Sequence, residues 1–311
     1  MPFKKLASLR KLASLGDEVV GVAPLEAGGI VAFVTTDPVA VSVHPIAGAK
    51  GKVTKVTLDE ASTVALINKQ VAVVKSGDAL WALLDIQHKP KIEQIGNSMK
   101  SLHACPAGDT ALAVGWDGHG AALAMSGHEV GGRQFVLRGD VRTASLTLDR
   151  TYVVVESGAG GQLREHPGAT PESGALARGD LPAEASGMDR LAGGLNLCAL
   201  SQRGAGQVCV ARRTGAQTYE AKMIDVPDVV DVAVIDTSLF VLCGDGRLRL
   251  FDRDAIAAAA PTATPTFELD LRAQGAPTVL ASTTKGGNRL WVGTAGGDVI
   301  VVDAVKAGPP M

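Results

Sequence analysis

Three groups of residues in this chain carry side chains able to do chemistry. The first is acidic: Asp37, Asp78, Asp117, Asp245 and Asp298 each stand in a Gly- or Pro-marked turn. Gathered in one place they would hold a divalent cation, but calcium needs its oxygen ligands within about 2.6 Å. Asp also suits such turns because its carboxylate accepts nearby backbone N–H groups. Turn formation is therefore the expected role, and no metal is expected. The six histidines (His44, His88, His103, His119, His128, His166) include no HxH or HExxH pair, so they supply no zinc-ligand spacing.

The second group is His103, Arg142, Asp189, Arg190 and Asp231. One imidazole, two carboxylates and two guanidinium groups could serve the cleavage of an ester or lactone, yet no motif ties them together. The chain has no GxSxG, Walker loop or dinucleotide fingerprint. Gly158 to Gly161 precedes no helical pattern and reads as a turn rather than a phosphate cradle. No catalytic residue and no cofactor are expected. The third group lies in turns: Trp116, Asp117 and His119 in GWDGHG, Arg203 in SQRGAG, and Asp245 with Arg247 in CGDGR. Turns carry recognition, and Trp and Arg are enriched where binding energy concentrates. These six are the expected protein-binding residues, with Trp116 foremost; the alternative is that its ring folds back onto neighbouring strands.

The elements that position these residues are short strands. NRLWVGTAGGDVIVVDA, from Asn288 to Ala304, reads as two strands around a Gly-Gly turn. The same turn recurs at Asp37, Gly77, Gly118, Gly161, Gly206, Gly246 and Gly297, at spacings of 40 to 51 residues. A period of roughly 40 to 45 is that of a four-stranded propeller blade. The expected fold is thus all-β, a single seven-bladed β-propeller of four-stranded antiparallel blades, in units of about 17–58, 62–96, 99–139, 141–182, 185–226, 229–271 and 276–303. The last unit has only three strands, and residues 3–12 are expected to close it, because an open blade would leave an unpaired edge. The competing reading of FKKLASLRKLASL is an amphipathic basic helix. Irregular structure is expected from Pro167 to Pro182, and a short helix ended by Pro261 within Asp254 to Pro265.

Composition narrows the partners. With 30 basic and 32 acidic residues in 311, the chain has no electrostatic footprint for nucleic acid or an anionic membrane. No apolar run approaches the roughly 20 residues of a membrane span, and the N-terminus lacks the continuous apolar segment of a secretory signal. A cytoplasmic protein is expected. Cys105, Cys198, Cys209 and Cys243 show no CxxC and read as small buried thiols, although Cys198 and Cys209 could face each other on one hairpin.

RLWVGTAGGDVIVVDA and LFVLCGDGRLRLFDRD resemble repeats of the WD40 and quinoprotein-like β-propeller superfamily, in which a hydrophobic strand, a Gly/Asp turn and a strand ending in Asp recur. The terminal Asp stands at Asp85, Asp252 and Asp303, whereas His44-Pro45 and His166-Pro167 replace it in two units. Trp116-Asp117 falls in a turn and is not the signature dipeptide. The resemblance implies a propeller but no single activity. The expected function is a non-enzymatic protein-interaction scaffold, a subunit of a larger assembly. The alternatives are a hydrolase of the lactonase type built on the second group, and a propeller subunit that senses a small ligand.

Overall fold

Alternating apolar residues between turn formers build strands along the whole chain. The structure, a computed structural model, describes residues 3–46, 52–105, 108, 110–137, 139–147, 149–168, 174–258, 262–283 and 288–306. After β1 (Phe3–Ser14), one antiparallel sheet contains β2 (Val19–Leu25), β3 (Ile30–Thr36), β4 (Val39–Pro45) and β5 (Thr54–Thr57). The second has β6 (Thr63–Asn68), β7 (Val71–Ser76), β8 (Ala79–Leu84) and β9 (Lys91–Gly96). The third has β10 (Met99–Ala104), β11 (Ala111–Gly115), β12 (His119–Ser126) and β13 (Glu129–Val136). The fourth has β14 (Val141–Leu146), β15 (Arg150–Val155), β16 (Gln162–Pro167) and β17 (Ala177–Asp180). A larger sheet follows, made of β18 (Arg190–Gly193), β19 (Leu197–Ser201), β20 (Ala205–Arg213), β21 (Tyr219–Ile235), β22 (Ser238–Cys243), β23 (Arg247–Phe251) and β24 (Phe267–Asp270). The last sheet joins β25 (Pro277–Thr283), β26 (Arg289–Thr294) and β27 (Asp298–Lys306) to β1.

These sheets form a propeller ring. The first strands touch in cyclic order, β2 to β6, β10, β14, β18, β21, β25 and back to β2. Counted as hydrogen-bonded sheets, the ring departs from the seven separate blades that the period predicts. It has five four-stranded blades and one curled seven-stranded sheet. The cause is β21, which runs unbroken for 17 residues. Its first half pairs with β20 through Gln207↔Asp225, the bridge Ala205↔Val229 carries the ladder onward, and its second half pairs with β22 from Val229↔Cys243. Asp228, at a φ of 53°, bends the strand between the two halves.

Apolar side chains hold neighbouring units together. Phe33, Trp291 and Val301 pack where the first and last sheets meet, and burying each such side chain contributes about 1.5–3 kcal/mol. Glu26 reinforces this seam by accepting from Thr283 Oγ1 at 2.9 Å and Arg289 at 3.2 Å. The two halves of the seven-stranded sheet share their own core, in which Val208 and Ile224 join Val241 and Phe251.

The N-terminal segment is a strand, not a helix. β1 runs antiparallel to β27 from Phe3↔Lys306 to Ser14↔Asp298, and Asp298 accepts from Ser14 Oγ and pairs with Lys11, both at 2.7 Å. Within the segment expected to be irregular, from Pro167 to Pro182, residues Ala177–Asp180 form a short outer strand, β17, against β16; residues 169–173 lie outside the described residues. The expected helix is present as α1 (Arg253–Ala258); Pro261 lies outside the described residues. No helix among the described residues is long and apolar enough to cross a membrane.

Candidate functional site

The turn residues are placed by the sheet geometry. In an antiparallel sheet, turns between the first and second strands and turns between the second and third lie at opposite ends. The second kind is tied repeatedly to the lead-in of the first strand: Thr36 N to Glu18 O at 3.2 Å, Trp116 N to Ser98 O at 3.1 Å, Gly244 N to Asp228 O at 2.7 Å and Ala295 N to Ala276 O at 2.8 Å. Trp116, Asp117, Arg203 and Asp245 therefore share one face of the ring.

Trp116 is 61% exposed even though it is held at several points. Its indole N–H donates to Asp78 of the preceding sheet at 3.2 Å, and the Lys100 ammonium sits 5.6 Å from the ring centroid. Asp117 accepts the His119 backbone N–H at 3.0 Å and contacts the His119 ring at 2.9 Å, and these bonds hold its carboxyl below the usual range. Asp245 repeats the turn by accepting Arg247 N–H at 3.0 Å. It also takes Arg249 at 2.6 Å, while Arg247 and Arg249 both reach Glu268. Four of the five acidic turn residues, Asp78, Asp117, Asp245 and Asp298, are thus occupied with backbone donors or with Trp116, Lys11, Ser14 and Arg249. Among the described residues no group of three or more His, Cys, Asp or Glu is placed to hold a metal ion.

The structure pairs Asp117 with His119 and Asp245 with Arg247, but among the described residues no hydrogen bond joins these two turns to each other or to Arg203. Lys100, Arg249 and Glu268 were not legible as site residues. The turn assigned to Gly206 falls two residues earlier, at Gly204 with φ 79°.

The inner strands enclose a channel of about 540 Å³. In β2, β10, β14, β21 and β25 the ladder shifts register at the same point, a bulge that re-aims the following side chain. At that level lie Thr63, Ser101, Thr143, Arg190 and Asp231, all in the channel wall. Asp231 is 8% exposed and accepts N–H bonds from Val232 and from Leu280 of the next inner strand, each at 2.9 Å. Burial pushes its carboxyl up, against the pull of those bonds and of Arg190 and Arg203. His103 contacts Ser101 Oγ through Nε2 at 2.7 Å; burial and the Arg190 charge lower it to about 4. Such an imidazole is neutral at pH 7 and a weak base, suited to hydrogen bonding more than to activating a hydroxyl. Asp189 and Arg190 stand exposed at the wall.

Arg142 does not join this channel. It pairs with Glu156 at 2.6 Å and donates to the carbonyls of Gly160 and Ala185 at 3.2 and 2.9 Å, a tie between neighbouring units. None of the four cysteines forms a disulfide, and all are buried. Cys198 stands opposite Ala211 and Cys209 opposite Leu200, so the two are offset rather than face to face.

No known protein family's profile matches this chain, and no curated protein matches it.

Proposed function

We propose that this protein is a non-enzymatic interaction platform, a subunit of a larger assembly that docks a protein partner on the face bearing Trp116. The observation that carries the reading is Trp116 itself, an indole left 61% exposed while its N–H and its ring are both anchored. A large aromatic fixed in place loses little conformational entropy on binding, which is why such residues concentrate binding energy. Asp117, His119, Arg203, Asp245 and Arg247 would form the polar surround. The ring reads as a seven-bladed propeller of the WD40-like or quinoprotein-like kind, with the seven-stranded sheet counted as two blades. The shared core between its halves and the seven first strands in cyclic contact support that count.

A hydrolase of the lactonase type is the second reading, favoured by the Ser101–His103 contact. The low basicity of His103 and the engagement of Arg142 with Glu156 weigh against it. To test the platform, the tagged protein is purified from its native lysate and its co-eluting proteins are identified by mass spectrometry. A stoichiometric partner supports the reading; a protein that emerges alone and monomeric opposes it.

A further inference from the structure

Three charged groups of the channel wall, Asp189, Arg190 and Asp231, are not used by the platform reading, and the last two face one level of the cavity. Arg190 lines the cavity from β18, is exposed to it, and makes no hydrogen bond or ion pair among the described residues. Asp231 lies at the same level on β21, the next inner strand, and each of its oxygens accepts one backbone N–H, leaving a further lone pair on each. Asp231 feels the charge of Arg190, but the two side chains do not pair. Arg203, on the turn face, adds a second positive influence on Asp231.

An arginine and a carboxylate kept only for stability close on each other elsewhere in this protein, as Arg249 does on Asp245 and Arg142 on Glu156, both at 2.6 Å. The open Arg190–Asp231 arrangement is instead a cation and an anion side by side across a polar cavity. A guanidinium with free donors matches a carboxylate in a two-point fork. A carboxylate with spare lone pairs, held rigid by backbone N–H groups, accepts a ligand hydroxyl or ammonium. Ser101, Thr63 and Thr143 add hydroxyls at the same level, and a cavity of about 540 Å³ falls within the range that encloses small molecules.

We propose that the channel binds a small carboxylic acid that carries a hydrogen-bond donor, a hydroxyl or an ammonium, on the carbon next to the carboxyl group. Arg190 takes the carboxylate and Asp231 takes the donor. The inference rests on the channel alone and stands whether or not the turn face docks a protein.

Isothermal titration of the full chain with succinate, malate and aspartate tests it, because these acids share one four-carbon skeleton and differ at a single carbon by hydrogen, hydroxyl or ammonium. Malate or aspartate is expected to bind at least ~10-fold more tightly than succinate, as one buried charge-assisted hydrogen bond provides. Whichever of the two binds better identifies the donor. Arg190→Gln, at an exposed side chain without partners among the described residues, should keep the wild-type melt and weaken binding at least ~10-fold. Asp231→Asn should erase the preference over succinate. Absence of binding by all three acids at millimolar concentration, equal binding of all three, or unchanged affinity in Arg190→Gln would each overturn the proposal.

Discussion

Phe3→Ala tests whether the N-terminal strand holds the ring shut. Phe3 is 3% exposed at the start of β1, its ring stands edge-on to Phe240 at 5.5 Å, and it shares a core with Leu248, Leu250 and Ile300. Phe240 belongs to the larger sheet and Ile300 to the last one, so one side chain pins two units together. Truncating a buried Phe costs about 3–5 kcal/mol, and the lower end applies here because a strand end relaxes more readily than a strand centre. In a domain of this size 1 kcal/mol corresponds to about 2 °C in melting temperature, so the variant should melt about 6 °C below wild type by circular dichroism. Lys11→Ala, which removes only the partly exposed pair with Asp298, should cost no more than about 1 kcal/mol. A Phe3→Ala melt within about 1 °C of wild type would refute the closing role of β1, since a buried aromatic at a real seam cannot be removed at no cost.

Three further outcomes follow from buried groups. Glu165 has a side chain only 1% exposed that serves Arg150 at 2.9 Å, Arg213 at 3.0 Å and Tyr219 Oη at 2.8 Å; Glu165→Ala should destabilise by about 3 kcal/mol, read by urea denaturation. His103 is held near 4 in the folded state against an ordinary 6.5, so the unfolded chain binds more protons between these values and stability falls as pH drops through that window. The ring borders a cavity that admits water, which limits the loss to about 1–2 kcal/mol; His103→Gln should flatten the slope of melting temperature between pH 4 and 6.5. Burial raises the thiols of Cys209 and Cys243, to about 12 and about 11, and that of Cys198 well above its usual value. A thiol-specific disulfide reagent at pH 8 should leave these three unmodified until the protein unfolds.

The repeat was legible because reversal chemistry and alternation are local. Gly246, at φ 78°, occupies a backbone conformation that other residues rarely adopt, and such positions mark the period. Local rules fail where two glycines compete: Gly204 and Gly206 both suit the turn, and only pairing with the neighbouring strand decides between them. They fail again at β17, where the buried residues are Ala177 and Gly179, a methyl group and no side chain at all, which carry little hydrophobic signal. The continuity of β21 through Pro227 and Asp228 depends on the single bridge Ala205↔Val229, a long-range pairing that no window of the sequence displays. Of the site residues, the turn group was visible as exposed types in Gly-rich contexts. The channel group was visible only in part. Arg142 is polar like its neighbours on the inner strands, yet the bulge after Val141 sends it toward Glu156 and Ala185 while Thr143 faces the cavity.

The claim that the Trp116 face docks a protein is tested most directly by a matched pair of variants. Trp116 and Leu195 are exposed to nearly the same degree, 61% and 62%. Leu195 lies between β18 and β19, a turn at the opposite end of the sheet, so Trp116→Ala and Leu195→Ala each remove an exposed apolar side chain, from opposite faces. Each variant is purified in parallel with wild type from native lysate, and co-eluting proteins are quantified by mass spectrometry alongside a melt of each. The account predicts a stoichiometric partner on wild type and Leu195→Ala that is depleted at least ~10-fold on Trp116→Ala, with unchanged melts. A partner retained by Trp116→Ala and lost by Leu195→Ala would contradict it.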